Sequence, residues 1–423
     1  MKRFVLLQGD GMPDLPIEEK GGKTALELAK TPNLDFLASR GEFGLVDTIP
    51  EGFEPQSDIG NLSLLGYDPK EVYTGRSPIE AASKGIVLGD EDVAFRLNLV
   101  SFDEAKGAWF LEDFSAGHIE DHDAKELVSA LQEGFDSSLP LEIHPGLSYR
   151  HILVWRNGES RFVLKPPHDI QGQGVEAYLP KGPGAEVLTR LLVGAREILK
   201  SHPLNQKRMA EGKMPANGVW LWGQGKAPTN IKPFTVHAGL QGAVIAAVDL
   251  VRGIAKLAKM RLVEVEGATG FIDTNYAGKG TAVLQALEKY PFVFLHLEAP
   301  DEAGHMGSLE EKIQAIERFD AEIVGRVLNF ARRAGDIRIV ATSDHATPFA
   351  LKTHAPGAVP FALWDPGMTR SNKHTVKFCE AAAKASSVRY SSGPALFFSL
   401  LDRNDAGGFL DERNDRPGEG HGP

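Results

Sequence analysis

The sequence predicts an α/β protein whose core is a mostly parallel sheet flanked by helices, with a smaller α+β domain inserted into it. Three observations carry this. Short apolar runs of strand length alternate with helical patterns along most of the chain. At 423 residues the chain is too long for one ordinary domain. One internal stretch breaks the alternation and is rich in hairpin and polar signals.

In order, RFVLLQ (Arg3 to Gln8) reads as a buried strand. TPNLDFLASRG gives a helix with Thr31 as N-cap, Pro32 at the first helical position and Gly41 as the stop. FGLVDTI is a second strand, and VAFRLNLVSF, from Val93, a third. SYRHILVWRNGESRFVLK predicts a hairpin, two strands around an Asn157-Gly158 turn. EVLTRLLVGAREILK is an amphipathic helix. GVWLWG, RLVEVEG, FVFLHLEA, DIRIVATS and VPFALWD are further short apolar runs. SLEEKIQAIERFDAEIVGRVLNFARRAG opens with a capping box, Ser308 with Glu311, and closes on Gly335. The core is thus read as 1–95 with 216–423, and the inserted domain as 96–215. The tail DERNDRPGEGHGP has a disordered composition, and no internal repeat occurs.

Lys and Arg number 46 against 57 Asp and Glu, a net charge of −11, which argues against nucleic acid or an anionic membrane as partner. A small anion held by a few local cations stays open. The single Cys379 rules out an internal disulfide and fits a reducing compartment. The apolar run before Asp10 is too short for a signal peptide, and GAVIAAVDLVRGIAKLAK carries Asp249 and Arg252, a poor membrane span. The expectation is a soluble cytoplasmic protein.

Ligands in such folds bind beyond the carboxyl ends of parallel strands. Asp10 follows RFVLLQ, Asp301 and His305 follow FVFLHLEA, Asp344 and His345 follow DIRIVATS, and His354 precedes VPFALWD. Each alone is equally a turn former or a surface residue. Together, carboxylates with imidazoles suit Mn²⁺, Zn²⁺ or Fe. Six ligands exceed what one catalytic ion with an open position accepts, so a two-metal site is expected. Ser57 opens the helical pattern SDIGNLSLLG, where it is either an N-cap or a nucleophile at an anion-favouring helix start. Nucleophile and two cations suit phosphoryl transfer.

GDGM, GKTALELAKTPNLDFLA, SDIGNLSLLGYDPKEVYTGRSPIEAAS, APDEAGHMG and SDHATP, with a following KTH and VPF, resemble the cofactor-independent phosphoglycerate mutases. The likeness is to their shorter archaeal-type branch, within the alkaline phosphatase superfamily. The resemblance implies an alkaline-phosphatase-like core and an isomerase that interconverts 3- and 2-phosphoglycerate through a phosphoserine on Ser57. It implies two divalent metal ions, Mn²⁺ first, with Zn²⁺, Mg²⁺ or Co²⁺ as alternatives, and neither 2,3-bisphosphoglycerate nor a nucleotide. Asp10, Ser57, Asp344 and His345 would hold one metal, and Asp301, His305 and His354 the other. Gln56 before the serine and DGMPD in place of DGMGD point to a bacterial side-branch labelled homoserine-kinase-like. The alternative is therefore a metal-dependent phosphotransferase or phosphatase for another small phosphoester.

A phosphoglycerate carries a phosphate and a carboxylate, so forked cations are wanted. Candidates are Arg76, Arg150 and Lys226, with His118 and His151 as further contacts. Lys226 is expected to stabilise the phosphoryl group in transfer, the glycerate reorienting in a closed cleft between core and inserted domain. No P-loop or kinase glycine loop is present. A monomer or small homo-oligomer is expected.

Overall fold

The computed structural model describes residues 2–105, 108–135, 138–368 and 375–401. The tail DERNDRPGEGHGP lies outside them. The described residues divide into two compact units, Met1–Asp68 with Ala299–Pro423, and Pro69–Glu298.

The first unit holds five strands in the order Arg389–Tyr390, Glu42–Val46, Val359–Trp364, Ile337–Thr342 and Arg3–Gly9. Arg3–Gly9 runs parallel to Ile337–Thr342, with Gln8 opposite Thr342. Because register and direction match, the residues after both strands, Asp10 and Asp344, leave the sheet at the same end. Val359–Trp364 is antiparallel to both its neighbours. The helix Pro32–Arg40 has Thr31 and Gly41 at its ends, as expected, but the Thr31 hydroxyl donates to Asp35 (3.1 Å) instead of capping.

The long helix after Ser308 is one continuous rod with a π-helical turn, Phe319–Val324, set into it. At its start Ser308 Oγ accepts from Glu311 N (3.4 Å), while Ser308 N–H donates to the Ala303 carbonyl (2.9 Å), so the box forms by half. Gly335 ends it in the left-handed conformation.

The second unit contains parallel strands Phe292–Leu297, Gly242–Ile245 and Arg261–Leu262. It also contains a five-stranded antiparallel sheet around the long strand Val93–Ala105, which pairs with Ala108–Asp113, Arg150–Trp155 and Gly218–Lys226. The expected hairpin at Asn157-Gly158 is not formed. Asn157 does turn, with φ of 50°, but the segment after it makes no strand. Arg150–Trp155 already pairs on one edge with Val93–Ala105 and on the other with Leu141–His144, so no edge is left. Phe162 stacks on Trp155 instead. No helix among the described residues is long and apolar enough to cross a membrane.

Candidate metal and phosphoryl-transfer site

Two groups of ligand atoms gather in the first unit. Asp10, Asp344 and His345 form one, Asp301, His305 and His354 the other, and in each the ligand atoms lie within 4.8 Å of one another. Chain geometry explains both. Asp10 follows Arg3–Gly9 at Gly11, whose φ is +60°, and a Cβ there would stand 2.5 Å from Asp301 Oδ1 and Thr347 Oγ1. Only glycine passes that point. Asp301 and His305 share a face of the helix Ala299–Met306, four residues apart. His354 reaches the same spot from the loop after Asp344 and His345.

Backbone carbonyls aim the imidazoles. His305 Nδ1 donates to Lys352 O (3.0 Å) and His354 Nδ1 to Pro55 O (2.8 Å), which leaves both Nε2 atoms facing Asp301. Those atoms stand 3.0 Å apart, so one of them carries a proton in the metal-free protein. Electrostatics says which. Burial opposes a charge on His305, but the hydrogen bond and charge of Asp301 (3.2 Å) prevail and raise it to about 9. Burial drops His354 and His345 to about 4 each. Burial also favours neutral Asp301, yet the His305 hydrogen bond and the surrounding imidazole charge hold it well below the carboxylate range. Asp344 is raised to about 6, chiefly by burial.

Ser57 is the first residue of the helix Ser57–Leu64, and Gln56 is its N-cap. The capping alternative is therefore corrected: the hydroxyl does not cap, and Ser57 Oγ lies 3.1 Å from His345 Nε2. Gly60 allows this helix to seat close, since a Cβ there would stand 2.7 Å from Asp344 Cβ. Asn61 Nδ2 donates to Ser57 O (2.8 Å) and lies 3.4 Å from Asp344 Oδ2. Thr347 was hidden inside SDHATP. Its hydroxyl donates to Asp301 Oδ1 and lies 3.2 Å from His345 Nδ1, joining the two clusters.

In the second unit, Arg76 Nε donates to Glu80 (2.8 Å), and Arg96 Nε lies 3.4 Å from the other oxygen of Glu80. The Arg150 charge also bears on Glu80. Three guanidinium groups around one buried carboxylate leave a local excess of positive charge. Arg96, in the middle of an apolar strand, had no motif to reveal it. Its guanidinium lies over Trp222 at 4.5 Å. His118 is exposed and meets Tyr149, whose ring lies under Arg150.

His151 faces the other way. It is 1% exposed, its Nδ1 accepts from Gly146 N (3.0 Å), and burial lowers it to about 4, so it offers no open surface for the substrate contact expected of it. Lys226 pairs with Glu91 at 2.5 Å near the surface. The glycine before it is a packing feature: a side chain on Gly225 would collide with the Thr74 carbonyl.

An α/β sheet with two carboxylate–imidazole clusters beside a buried serine hydroxyl defines a class, that of proteins suited to divalent metals next to an activatable serine. The donor set fits, since each cluster combines oxygen and imidazole ligands without thiolates. The family description "2,3-bisphosphoglycerate-independent phosphoglycerate mutase" matches residues 38–205. A protein of Geobacter sulfurreducens named a probable 2,3-bisphosphoglycerate-independent phosphoglycerate mutase is 49% identical, over 95% of this chain and all of that one. The Methanosarcina acetivorans enzyme of that name is 46% identical over 86% of this chain and 90% of its own. Among solved structures, a Pyrococcus horikoshii protein matches with a TM-score of 0.79 at 28% identity, covering 96% of this chain and 99% of the other. The cofactor-independent phosphoglycerate mutase of Thermoplasma acidophilum matches with a TM-score of 0.63 at 27% identity, over 95% and 99%. The chain belongs to the 2,3-bisphosphoglycerate-independent phosphoglycerate mutase family.

A pH dependence follows from His305. A metal needs its Nε2 bare, whereas in the metal-free protein that atom keeps its proton up to about pH 9. Between about pH 6, above which Asp344 is ionised, and pH 9, binding displaces one proton, so affinity should climb about tenfold per pH unit and then level. Mn²⁺ calorimetry at three pH values in two buffers reads this directly. A flat affinity with no proton release contradicts it.

Proposed function

We propose that this chain is a phosphoglycerate mutase that interconverts 3- and 2-phosphoglycerate through a phosphoserine on Ser57, without 2,3-bisphosphoglycerate. The observation that carries the reading is the Ser57 hydroxyl, buried, uncapped and 3.1 Å from His345 Nε2. Family membership supports the substrate class. Asp10, Asp344 and His345, with Ser57, would hold one divalent ion; Asp301, His305 and His354 would hold the other, Mn²⁺ being our choice. The ions supply charge neutralisation at the phosphoryl oxygens and make a serine hydroxyl acidic.

Ser57 Oγ gives up its proton and bonds to phosphorus as the bond from phosphorus to the glycerate oxygen breaks, and that oxygen gains a proton. The neighbouring glycerate hydroxyl then loses its proton and attacks the same phosphorus, releasing the Ser57 oxygen, which takes a proton back. The net reaction is an isomerisation, with nothing oxidised and no phosphate freed. Exclusion of water during the intermediate separates this from hydrolysis. We assign the substrate's charged groups to Arg76, Arg96 and Arg150, with His118 beside them, and assign segment 96–215 to substrate binding. Lys226 is proposed as the cation for the transferring phosphoryl group. Its exposed pair with Glu91 is worth only ~0–1 kcal/mol, so exchanging Glu91 for a phosphate costs little. We place the activity in cytoplasmic glycolysis and gluconeogenesis.

The test is an enolase-coupled assay on metal-loaded protein with 3-phosphoglycerate, lacking ATP and 2,3-bisphosphoglycerate. Turnover that is lost to a chelator and restored by Mn²⁺ is expected. Release of inorganic phosphate instead would make the protein a phosphatase.

A further inference from the structure

We propose that Lys312, paired with Asp14, is a positioning residue that holds the two metal-binding clusters at their mutual spacing. Lys312 lies in the first turn of the helix Leu309–Arg318 and is wholly buried. An ammonium has three hydrogens, and three acceptors surround it: Asp14 Oδ2 at 2.9 Å, Pro13 O at 3.1 Å and Thr347 O at 2.6 Å. Pro13 and Asp14 sit on the loop that carries Asp10. Thr347 sits on the loop that carries Asp344 and His345, and its hydroxyl donates to Asp301. One nitrogen thus ties the loop of Asp10 to that of His345 and, through Thr347, to Asp301.

The surroundings fix Asp14 as firmly. Its Oδ1 accepts from Leu15 N (2.8 Å), and its own N–H donates to Glu380 (2.8 Å), whose other oxygen accepts from the Thr24 hydroxyl (2.6 Å). Thr347 N–H also donates to Pro13 O at 3.2 Å. Stability alone does not account for such a pair. Buried ion pairs are often replaceable by apolar residues at no loss, because desolvation offsets their attraction. What an ammonium provides here, and a methyl group would not, is a three-way tie of defined length between two loops.

The inference rests on the two-metal reading, and wild-type protein stripped and titrated with Mn²⁺ tests that reading separately by binding two equivalents. Lys312→Met with Asp14→Asn removes both charges and keeps both volumes, avoiding a lone buried charge. The expected result is a folded protein with wild-type circular dichroism whose Mn²⁺ affinity has fallen about 10–100-fold, the range seen when outer partners of metal ligands are lost. Its kcat at saturating Mn²⁺ should fall as well, because the spacing stays wrong when both ions are bound. A folded double variant with the wild-type Mn²⁺ isotherm overturns the proposal. Should it not fold, Thr347→Val decides. That change leaves the ammonium's contacts whole and removes the hydroxyl that carries its hold to Asp301 and His345. Weakened binding is expected, and an unchanged isotherm overturns the proposal.

Discussion

Ser57→Ala should abolish mutase turnover, a loss on the order of 10⁴-fold or more, the scale on which removing a covalent nucleophile acts. The fold should not suffer. Ser57 supplies no cap, and Asn61 holds the helix start through the Ser57 carbonyl, which the variant keeps. Both clusters retain Asp10, Asp344 and His345, and Asp301, His305 and His354, so Mn²⁺ binding should fall only modestly. Loss of activity with metal content preserved is therefore the signature. An alanine variant that isomerises substrate at a measurable fraction of wild type would show that the serine oxygen is not the nucleophile.

Asp301→Asn should be nearly as damaging by a different route. This carboxylate is the one negative charge within the cluster it forms with His305 and His354. An amide keeps the shape but gives up the charge that an ion needs. Affinity at that cluster should fall by more than the roughly 10–100-fold typical of losing an outer partner. Turnover should fall with it, to background at micromolar Mn²⁺. A second readout is independent of metal. Asp301 does most to lift His305 against burial, ahead of the Lys352 carbonyl and the Glu302 charge, so in the metal-free variant the His305 imidazole should titrate well below the wild-type value. NMR titration of that ring, with wild type near 9, separates a direct partner from a bystander. Normal Mn²⁺ content and activity in the variant would remove Asp301 from the site.

Much of this site is legible in the sequence because its ligands follow strands or share a helix turn. Asp10 and Asp344 each come just after a short apolar run, and a parallel pair in register delivers both to one edge. Asp301 and His305 are four apart on one helix. What stays hidden is whatever depends on contacts distant in the chain. Lys312 reads as one charge among several on an amphipathic helix, and its burial is decided by Asp14, about three hundred positions earlier. Arg96 sits unannounced in VAFRLNLVSF, and only the return of Arg76 and Glu80 to the same place gives it meaning. The Asn157-Gly158 signal misleads for the same reason. The turn forms, but the strand before it already has partners on both edges, and local chemistry carries no record of that.

In the proposed mechanism the phosphoryl group passes through Ser57 and back to the same glycerate. One measurement reads both halves: wild-type enzyme with ³²P-labelled 3-phosphoglycerate and Mn²⁺, in the presence of ¹⁴C-labelled free glycerate, quenched in acid during turnover. The expected result is ³²P on the peptide containing Ser57 and in 2-phosphoglycerate, with no ¹⁴C in either phosphoglycerate. A Ser57 peptide without ³²P while 2-phosphoglycerate accumulates, or ¹⁴C entering the product, would contradict it.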